Sequence, residues 1–344
     1  AADYDRDGDV DLYVGGRSDP GNFPKAAPGA VLRNEVIKET GQIKFSVATK
    51  EVNPDLREPG MVTDALWRDF NNDSWPDLIV VGEWMPIRIF KNNKGKLEEV
   101  KVGENTSGLW TRIATADLDA DGDFDYIVGN AGQNLPWKIS STTPLTLYVT
   151  DVNRDSRLDP IICFTHDGKE FPVASRDELL QQIGSLRSKF TTYDLYARAT
   201  IDDVVDKQKL PSIQKLLIVN THTVMIENLG NEKFEVKPLP IPAQVSCTNG
   251  ILSADYNQDG FEDILLAGNY FPLRTQYGRS DAGMGLLLAG VGEGDFRSLS
   301  WEKSGFLAKG DVRNMVSLKG QSGKTFILVA RNNDRLSLFE KVMR

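Results

Sequence analysis

The feature that most constrains this chain is a nine-residue acidic motif that occurs five times. The first copy is Asp3-Tyr4-Asp5-Arg6-Asp7-Gly8-Asp9-Val10-Asp11, and every copy fits the pattern D-x-[DN]-x-D-[GS]-x-x-D. The side chains at positions 1, 3, 5 and 9 are Asp3, Asp5, Asp7 and Asp11 in the first copy; Asp69, Asn71, Asp73 and Asp77 in the second; Asp117, Asp119, Asp121 and Asp125 in the third; Asp151, Asn153, Asp155 and Asp159 in the fourth; and Asp255, Asn257, Asp259 and Asp263 in the fifth. Any fold of this chain must accommodate the same acidic loop at five points.

The spacing of these oxygens suits a hard cation. Ca²⁺ binds about six to eight oxygens, and a loop wrapped around it supplies alternate side chains and one backbone carbonyl. That carbonyl is expected at position 7, where the residues are Asp9, Trp75, Asp123, Arg157 and Phe261. Position 6 is always Gly or Ser, and Gly adopts positive φ at little cost in a sharp bend. The sequence therefore predicts up to five bound Ca²⁺ ions.

The motif differs from an EF-hand, which needs a Glu at position 12 and a helix on each side. Here an Asp closes the loop at position 9, and a short apolar run follows it, as at 78–82 and 264–268. Such runs, partly β-branched and often ended by Gly, are typical of buried strands. The predicted unit is strand, acidic loop, strand.

An alternative is that the aspartates only form turns, since Asp and Asn are favoured there. A turn needs one or two such residues, whereas each of these loops has four. Without a counter-charge, so many carboxylates at close range would repel one another. Fixed spacing in five copies therefore favours metal binding.

Charge and cysteine content narrow the classes of partner. The chain has 344 residues, a formal net charge of −9 and a pI near 5.0, which argues against nucleic acid or an anionic membrane as partner. Five divalent cations would nearly neutralise that charge. Cys163 and Cys247 are the only cysteines, and the sequence leaves open whether they pair. No apolar run is long enough for a transmembrane helix.

The strand pattern divides the chain into about six units. Residues 60–108 form the clearest unit, and residues 110–165 are predicted to be one four-stranded unit with two acidic loops. The stretch 175–208 breaks the β pattern, because Ser175-Arg176-Asp177-Glu178 is a capping box followed by apolar residues at helical spacing. We interpret it as a small helical insertion, either a clamp on the rim of the fold or a partner-binding helix. Strands resume at 214–245 without an acidic loop, followed by units at 250–300 and 310–341.

Short antiparallel units repeated about every 50 residues favour an all-β fold of the β-propeller type. The strand–DxDxDGxxD–strand unit resembles the FG-GAP/VCBS repeat of integrin α-subunit propellers and many bacterial secreted proteins. The order of segments is also similar to large Bacteroidetes VCBS proteins with an ASPIC/UnbV-type region. The matching stretches are Ser175-Arg176-Asp177-Glu178-Leu179-Leu180, Gly278-Arg279-Ser280-Asp281-Ala282 and Gly310-Asp311-Val312-Arg313.

This resemblance implies an exported, calcium-bearing propeller, usually seven-bladed, whose ions are structural. About six units are visible here, and the first is truncated. We therefore expect residues 1–344 to be a single N-terminally truncated propeller, a monomeric module of a longer chain with any signal or lipid anchor upstream. An extracellular, periplasmic or outer-membrane location would supply the roughly millimolar calcium that such sites need.

A ligand face is predicted opposite the acidic loops. If those loops join strands one and two of each unit, the loops between strands two and three emerge on the other side. They carry the residues Arg17, Glu83, Trp84, Asn130, Trp137, Tyr270, Arg274, Tyr277, Arg279 and Asp281. Aromatic, Arg and amide side chains together suit a glycan or a peptide. Alternatively, Trp84 and Trp137 pack between units, and Arg279 pairs with Asp281.

The leading hypothesis is a non-catalytic binding or scaffold module whose partner is a glycan or a surface protein. The alternative is a polysaccharide lyase or hydrolase. Against it, the sequence has only two histidines, His166 and His222, both in turn-like surroundings, and no nucleophile elbow, H-E-x-x-H or phosphate-binding loop. A catalytic metal also needs an open coordination position, which these self-contained loops do not provide. A third hypothesis is a passive structural module of a larger surface protein.

Overall fold

The structure is a computed structural model that describes residues 1–36, 41–153, 155–208, 210–274, 276–321 and 323–341. These residues form an all-β fold with a few short helices, as predicted. The strands are β1 (Leu12–Val14), β2 (Ala30–Asn34), β3 (Phe45–Val47), β4 (Met61–Arg68), β5 (Asp77–Met85), β6 (Arg88–Asn93), β7 (Lys96–Val100), β8 (Gly108–Leu109), β9 (Arg112–Ala116), β10 (Asp125–Gly129), β11 (Leu145–Val149), β12 (Ile161–His166), β13 (Lys169–Pro172), β14 (Gln214–Ile218), β15 (Val224–Asn228), β16 (Phe234–Pro238), β17 (Thr248–Ala254), β18 (Asp263–Gly268), β19 (Leu286–Gly290), β20 (Phe296–Leu299), β21 (Val312–Lys319), β22 (Thr325–Arg331) and β23 (Ser337–Glu340). The helices are α1 (Thr49–Val52), α2 (Arg176–Gln182), α3 (Tyr193–Ala197), α4 (Ile201–Val204) and α5 (Trp301–Ser304).

The described strands form six antiparallel sheets. Five follow one another along the chain: β1–β3, then β4–β7 with β8 on β5, then β9, β10, β15 and β16, then β17–β20, and finally β21–β23. We call them the first to fifth sheets. The sixth has the order β13-β12-β11-β14, and we call it the inserted sheet.

The inserted sheet corrects the predicted unit at 110–165. That unit was expected to contain β9, β10, β11 and β12, but β10 pairs instead with β15, with Tyr126 opposite Ile226. Strand β11 pairs with β12 and β14. In the sequence, the whole inserted sheet therefore comes between β10 and β15, the second and third strands of the third sheet. The unit predicted at 214–245 is likewise divided between these two sheets. The consecutive strands β10 and β11 therefore belong to different sheets.

The predicted helical region is confirmed, and it belongs to the inserted sheet. The Ser175 capping box forms, with Glu178 Oε2 accepting from the Ser175 backbone N at 2.8 Å. A second capping box forms at Thr200, where Asp203 Oδ2 accepts from the Thr200 backbone N at 3.0 Å. The helices cover one face of the sheet and share an apolar cluster with it, which includes Tyr148, Ile161, Cys163, Leu179, Leu180, Ile183 and Ile201. The opposite face of the sheet packs on the main body around Trp84.

The first strands of the second to fifth sheets, β4, β9, β17 and β21, lie side by side in sequence order. Side-chain hydrogen bonds cross each junction: for example, Thr63 Oγ1 donates to Trp110 O at 2.8 Å, Thr111 Oγ1 to Thr248 O, and Asn249 Nδ2 to Val312 O at 2.9 Å. Strands β4 and β17 are bulged next to Thr63 and Asn249, and a bulge redirects the side chain. Apolar clusters fill the space between neighbouring sheets.

Two further properties bear on function. Cys163 and Cys247 are both buried free thiols, and burial raises the pKa of Cys247 to about 12, which keeps the thiol protonated near neutral pH. Within the residues that the structure describes, no helix is long and apolar enough to cross a membrane.

Candidate metal centres

The second to fifth acidic motifs each form a loop between two antiparallel strands, and the first loop is closed by a bridge between Ala2 and Asp11. The carboxylates hold the loop backbone. The position-1 Asp accepts hydrogen bonds from backbone N–H groups further round the loop, as when Asp69 Oδ2 accepts from Ser74 N at 2.7 Å. The position-5 Asp accepts from position 7, as when Asp73 Oδ1 accepts from Trp75 N at 2.8 Å. Equivalent bonds occur at Asp151, Asp155, Asp255 and Asp259. The motif therefore specifies one loop geometry.

The left-handed conformation occurs at position 6 in all five loops and at position 4 in the first, second, third and fifth loops. Position 6 does so as predicted, with φ of 97° at Gly8, 70° at Ser74, 97° at Gly122, 69° at Ser156 and 93° at Gly260. Position 4 was not predicted to, yet φ is 59° at Arg6, 59° at Asn72, 66° at Ala120 and 64° at Gln258. Residue types at position 4 vary, so the sequence carried no signal of this second bend.

In the first, second, third and fifth loops, the closing aspartate at position 9 joins the loop to the rest of its sheet. Asp77 is fully buried; its Oδ2 accepts from Phe70 N at 2.9 Å and its Oδ1 from Asn92 N, on the third strand, at 2.7 Å. Asp125 repeats both bonds, with Leu118 N and Asn228 N, each at 2.9 Å. Asp11 and Asp263 do the same with Asn34 and Gly290.

Sequence reasoning missed the residues that face these closing aspartates. Asn34 and Asn228 are the last residues of β2 and β15, Asn92 is the last but one in β6, and each donates its backbone N–H to a closing Asp. The available signal was the recurrence of Asn after an apolar strand at the same place in three units. In the hairpin turn that follows Asn92, the residues with positive φ are Lys94 and Gly95.

Burial disfavours the charged form of several of these carboxylates and raises their pKa values. Burial raises the pKa of Asp77 and of Asp125 to about 7, despite the lowering effect of their backbone hydrogen bonds. Burial also raises the pKa of Asp123 to about 6, with the neighbouring Asp121 carboxylate as the next cause. The pKa values of Asp11, Asp159 and Asp263 are raised for the same first reason. A bound cation would relieve this unfavourable energy.

The residues present fit a calcium ion. In two loops, three carboxylates have oxygens within 4.8 Å of one another: Asp3, Asp5 and Asp11 in the first, and Asp117, Asp119 and Asp125 in the third. The Oδ1 atoms of Asp5 and Asp117 are buried without a hydrogen-bond partner, which leaves each one available to a cation. An all-oxygen donor set of this kind is what Ca²⁺ prefers.

The predicted ligand-face residues form two groups in the structure. Arg17 makes a bidentate ion pair with Glu83, at 2.7 and 2.9 Å from Arg17 Nη2 to the two carboxylate oxygens. The second group joins the loop after β18 to the inserted sheet: Tyr277 packs edge-on against Trp137, and Arg274 pairs with Glu178 at 3.1 Å.

Two of the predicted ligand-face residues, Trp84 and Asn130, are buried. Trp84 is 8 % exposed and packs against the inserted sheet, as the alternative interpretation stated. Asn130 is fully buried; its Oδ1 accepts from Leu109 N and Ala131 N, and its Nδ2 donates to Asn220 O.

The remaining predicted residues stay at the surface or next to it. Arg279 lies over the Phe271 ring at 5.0 Å, and Asp281 is exposed. Tyr270 is 36 % exposed, with the guanidinium of Arg313 over its ring at 5.3 Å. Trp137 and Tyr277 are half-buried.

The two histidines do not form an acid–base pair with each other. His166 is exposed beside Asp167, and His222 lies against Gln133 in a partly buried position, where burial lowers its pKa. They belong to different sheets, since His166 ends β12 and His222 precedes β15.

Comparison with known proteins supports part of the resemblance. Residues 69–128 match a model of the FG-GAP-like repeat, a segment that runs from the second acidic loop through the third. The likeness to VCBS proteins and to the ASPIC/UnbV-type region stays a prediction. A search of curated proteins gave no match.

Two solved structures show distant similarity. The Vibrio cholerae biofilm matrix protein Bap1 is 11 % identical over 93 % of this chain and 70 % of that chain, with a TM-score of 0.31. An Agrocybe aegerita lectin that recognises non-reducing terminal N-acetylglucosamine is 14 % identical over 96 % of this chain and 90 % of that chain, with a TM-score of 0.23. Neither similarity identifies a function for this chain.

Proposed function

We propose that this chain is a calcium-stabilised binding or scaffold module, and that its five acidic loops each hold a structural Ca²⁺ ion. The observation that carries the proposal is the closing aspartate, buried in all five loops and tied to the loop backbone. In the first and third loops, unpaired buried oxygens of Asp5 and Asp117 point to the same conclusion.

Calcium would act on stability rather than on chemistry. Each loop supplies its own oxygens, and the binding free energy of each ion adds to the free energy of unfolding, because the unfolded loop has no preformed site. Sites of this strength fill at roughly millimolar calcium, which favours an exported, extracellular or periplasmic protein. We further propose that the sheets are blades of a β-propeller; the side-by-side order of β4, β9, β17 and β21 supports this.

Thermal unfolding in calcium and in EDTA tests the metal proposal. At a free calcium concentration about one hundred times its Kd, each occupied site adds about 2.7 kcal/mol to the free energy of unfolding. Chelation removes all of these contributions together and should therefore lower Tm by roughly 10 °C or more. Magnesium is the control, since it demands tighter octahedral geometry and should restore less stability. An unchanged Tm in excess EDTA would overturn the proposal.

The ligand face remains a proposal, restricted to the surface residues Arg17, Arg274, Arg279, Asp281 and Tyr270 with the half-buried Trp137 and Tyr277. A glycan or a surface protein suits this mixture of Arg and aromatic groups. Binding to a glycan panel should depend on calcium and fall in Arg279→Ala. The matched control is Arg297→Ala, an exposed Arg on the outer strand β20. Equal binding by both variants would remove this face from the proposal.

A further inference from the structure

Asn92 connects two different acidic loops. Its backbone N donates to Asp77 Oδ1 in the second loop at 2.7 Å. Its side-chain Nδ2 donates to Pro76 O in the same loop at 2.9 Å and to Tyr4 O in the first loop at 2.8 Å. Asn92 is 1 % exposed, so these bonds are shielded from water. One buried side chain therefore connects two loops whose equivalent residues, Asp3 and Asp69, are 66 residues apart in the sequence.

Asn228 makes the same connection one sheet further on. Its backbone N donates to Asp125 Oδ1 in the third loop at 2.9 Å, and its Nδ2 donates to Phe70 O in the second loop at 2.7 Å. It too is 1 % exposed. Tyr4 and Phe70 both occupy position 2 of their loops, so the two connections are equivalent.

These bonds form a continuous path through three loops. Tyr4 and Phe70 donate their own N–H groups to the closing aspartates Asp11 and Asp77, at 3.2 and 2.9 Å. Each position-2 residue thus contacts its own closing Asp through N–H and the next sheet through C=O. The path runs from Asp11 to Asp77 and on to Asp125, and every contact between residues along it is a hydrogen bond.

The path does not extend to the fifth loop in this way, because a glycine replaces the asparagine. Gly290 N donates to Asp263 Oδ1 at 2.9 Å, so the closing bond is kept, but there is no side chain to reach the third loop. A Cβ at this position would lie 2.4 Å from Glu262 O, so there is no room for one. The fourth loop lies in the inserted sheet, where Asp159 Oδ2 accepts from Val152 N of its own loop.

We propose that Asn92 and Asn228 are positioning residues that couple cation binding at the first three acidic loops. The first ion fixes a closing Asp and, through the shared asparagine, the position-2 backbone of the neighbouring loop. The next ion then has less backbone to order and binds more tightly, which is positive cooperativity through conformational entropy. The fourth and fifth loops bind independently. This inference rests on the proposed calcium function.

Calorimetric titration of the chelated full chain with Ca²⁺ tests the coupling. We expect a cooperative phase of three ions and an independent phase of two. Asn92→Ala and Asn228→Ala each keep the backbone N–H that bonds the closing Asp. They lose the bridge together with the local bonds of the Asn side chain, which join Asn92 to Pro76 O and Gly95 N, and Asn228 to Gly230 N. Either variant should weaken the cooperative phase about five-fold and reduce its Hill coefficient towards one.

Asn34→Ala is the matched control. Asn34 occupies the equivalent place in the first sheet, but its Nδ2 donates to Val10 O of its own loop. It should alter one site without changing the cooperativity of the others. Equal loss of cooperativity in Asn34→Ala and Asn92→Ala would assign the effect to general loosening and overturn the coupling.

A variant of a loop itself gives a second test that leaves both asparagines intact. Asp121→Asn weakens the third loop, and reciprocity requires the second loop to lose affinity by the coupling factor while the fifth loop does not. Site-resolved amide exchange at Ser74 and Gly260 reports on these two loops. Five independent sites, unchanged in every variant, would overturn the coupling but leave calcium binding intact. No calcium binding at all would overturn the proposed function itself.

Discussion

The third sheet and the inserted sheet carry the same acidic motif but are joined to the rest of the molecule in different ways. In the third sheet, Asp125 bonds both its own loop and the third strand, and Asn228 extends that connection to the second loop. In the inserted sheet, Asp159 bonds Val152 N within its own loop, and the sheet contacts the main body through the apolar cluster around Trp84. The motif thus determines the loop, whereas the connections of the loop depend on the strand that faces it.

The largest effect is expected where the inserted sheet meets the body. Trp84→Ala removes a buried ring from the cluster that contains Met61, Leu147 and Ile218, and such a cavity destabilises by about 3–5 kcal/mol. We expect proteolysis to release the inserted sheet and its helices before the body unfolds. Trp301→Ala, which changes a partly exposed Trp in α5, is the control. A single cooperative loss of the whole fold, without a nicked intermediate, would show that the inserted sheet is not a separate unit.

A smaller effect should separate the two closing aspartates. The Asp125 carboxylate accepts from two buried N–H groups, whereas an Asn amide has only one accepting oxygen. Asp125→Asn therefore leaves one N–H group facing the amide NH₂ and should lower the free energy of unfolding by about 2–3 kcal/mol. Asp159→Asn disturbs a carboxylate that binds only its own loop in the described bonds, and about 1 kcal/mol is expected. Urea denaturation of both variants in calcium measures the difference. Equal losses would mean that the third-strand bond from Asn228 contributes nothing.

Sequence reasoning succeeded where the determinants are local. The Ser175 capping box, the strand after each closing Asp and the positive φ at position 6 each depend on a few adjacent residues. It failed at β10, because β11 and β15 are both short apolar strands and pairing depends on contacts far apart in the chain. It also missed Asn92 and Asn228, whose partners lie on other loops.

The smallest predicted effect tests which property of the loops is purely local. Ser74 and Ser156 occupy position 6 with φ near 70° and are exposed, so their side chains contribute strain and little packing. Ser74→Gly and Ser156→Gly should therefore each stabilise the protein by about 0.5–1 kcal/mol. Gly122→Ser should destabilise by a similar amount, because a Cβ there meets nothing within 4 Å and only the φ of 97° opposes it. Since Ser74 lies in the main body and Ser156 in the inserted sheet, equal gains in chemical denaturation would confirm that this position depends on the loop alone. A gain at Ser74 without one at Ser156 would instead show that the two sheets hold the same nine-residue loop with different rigidity.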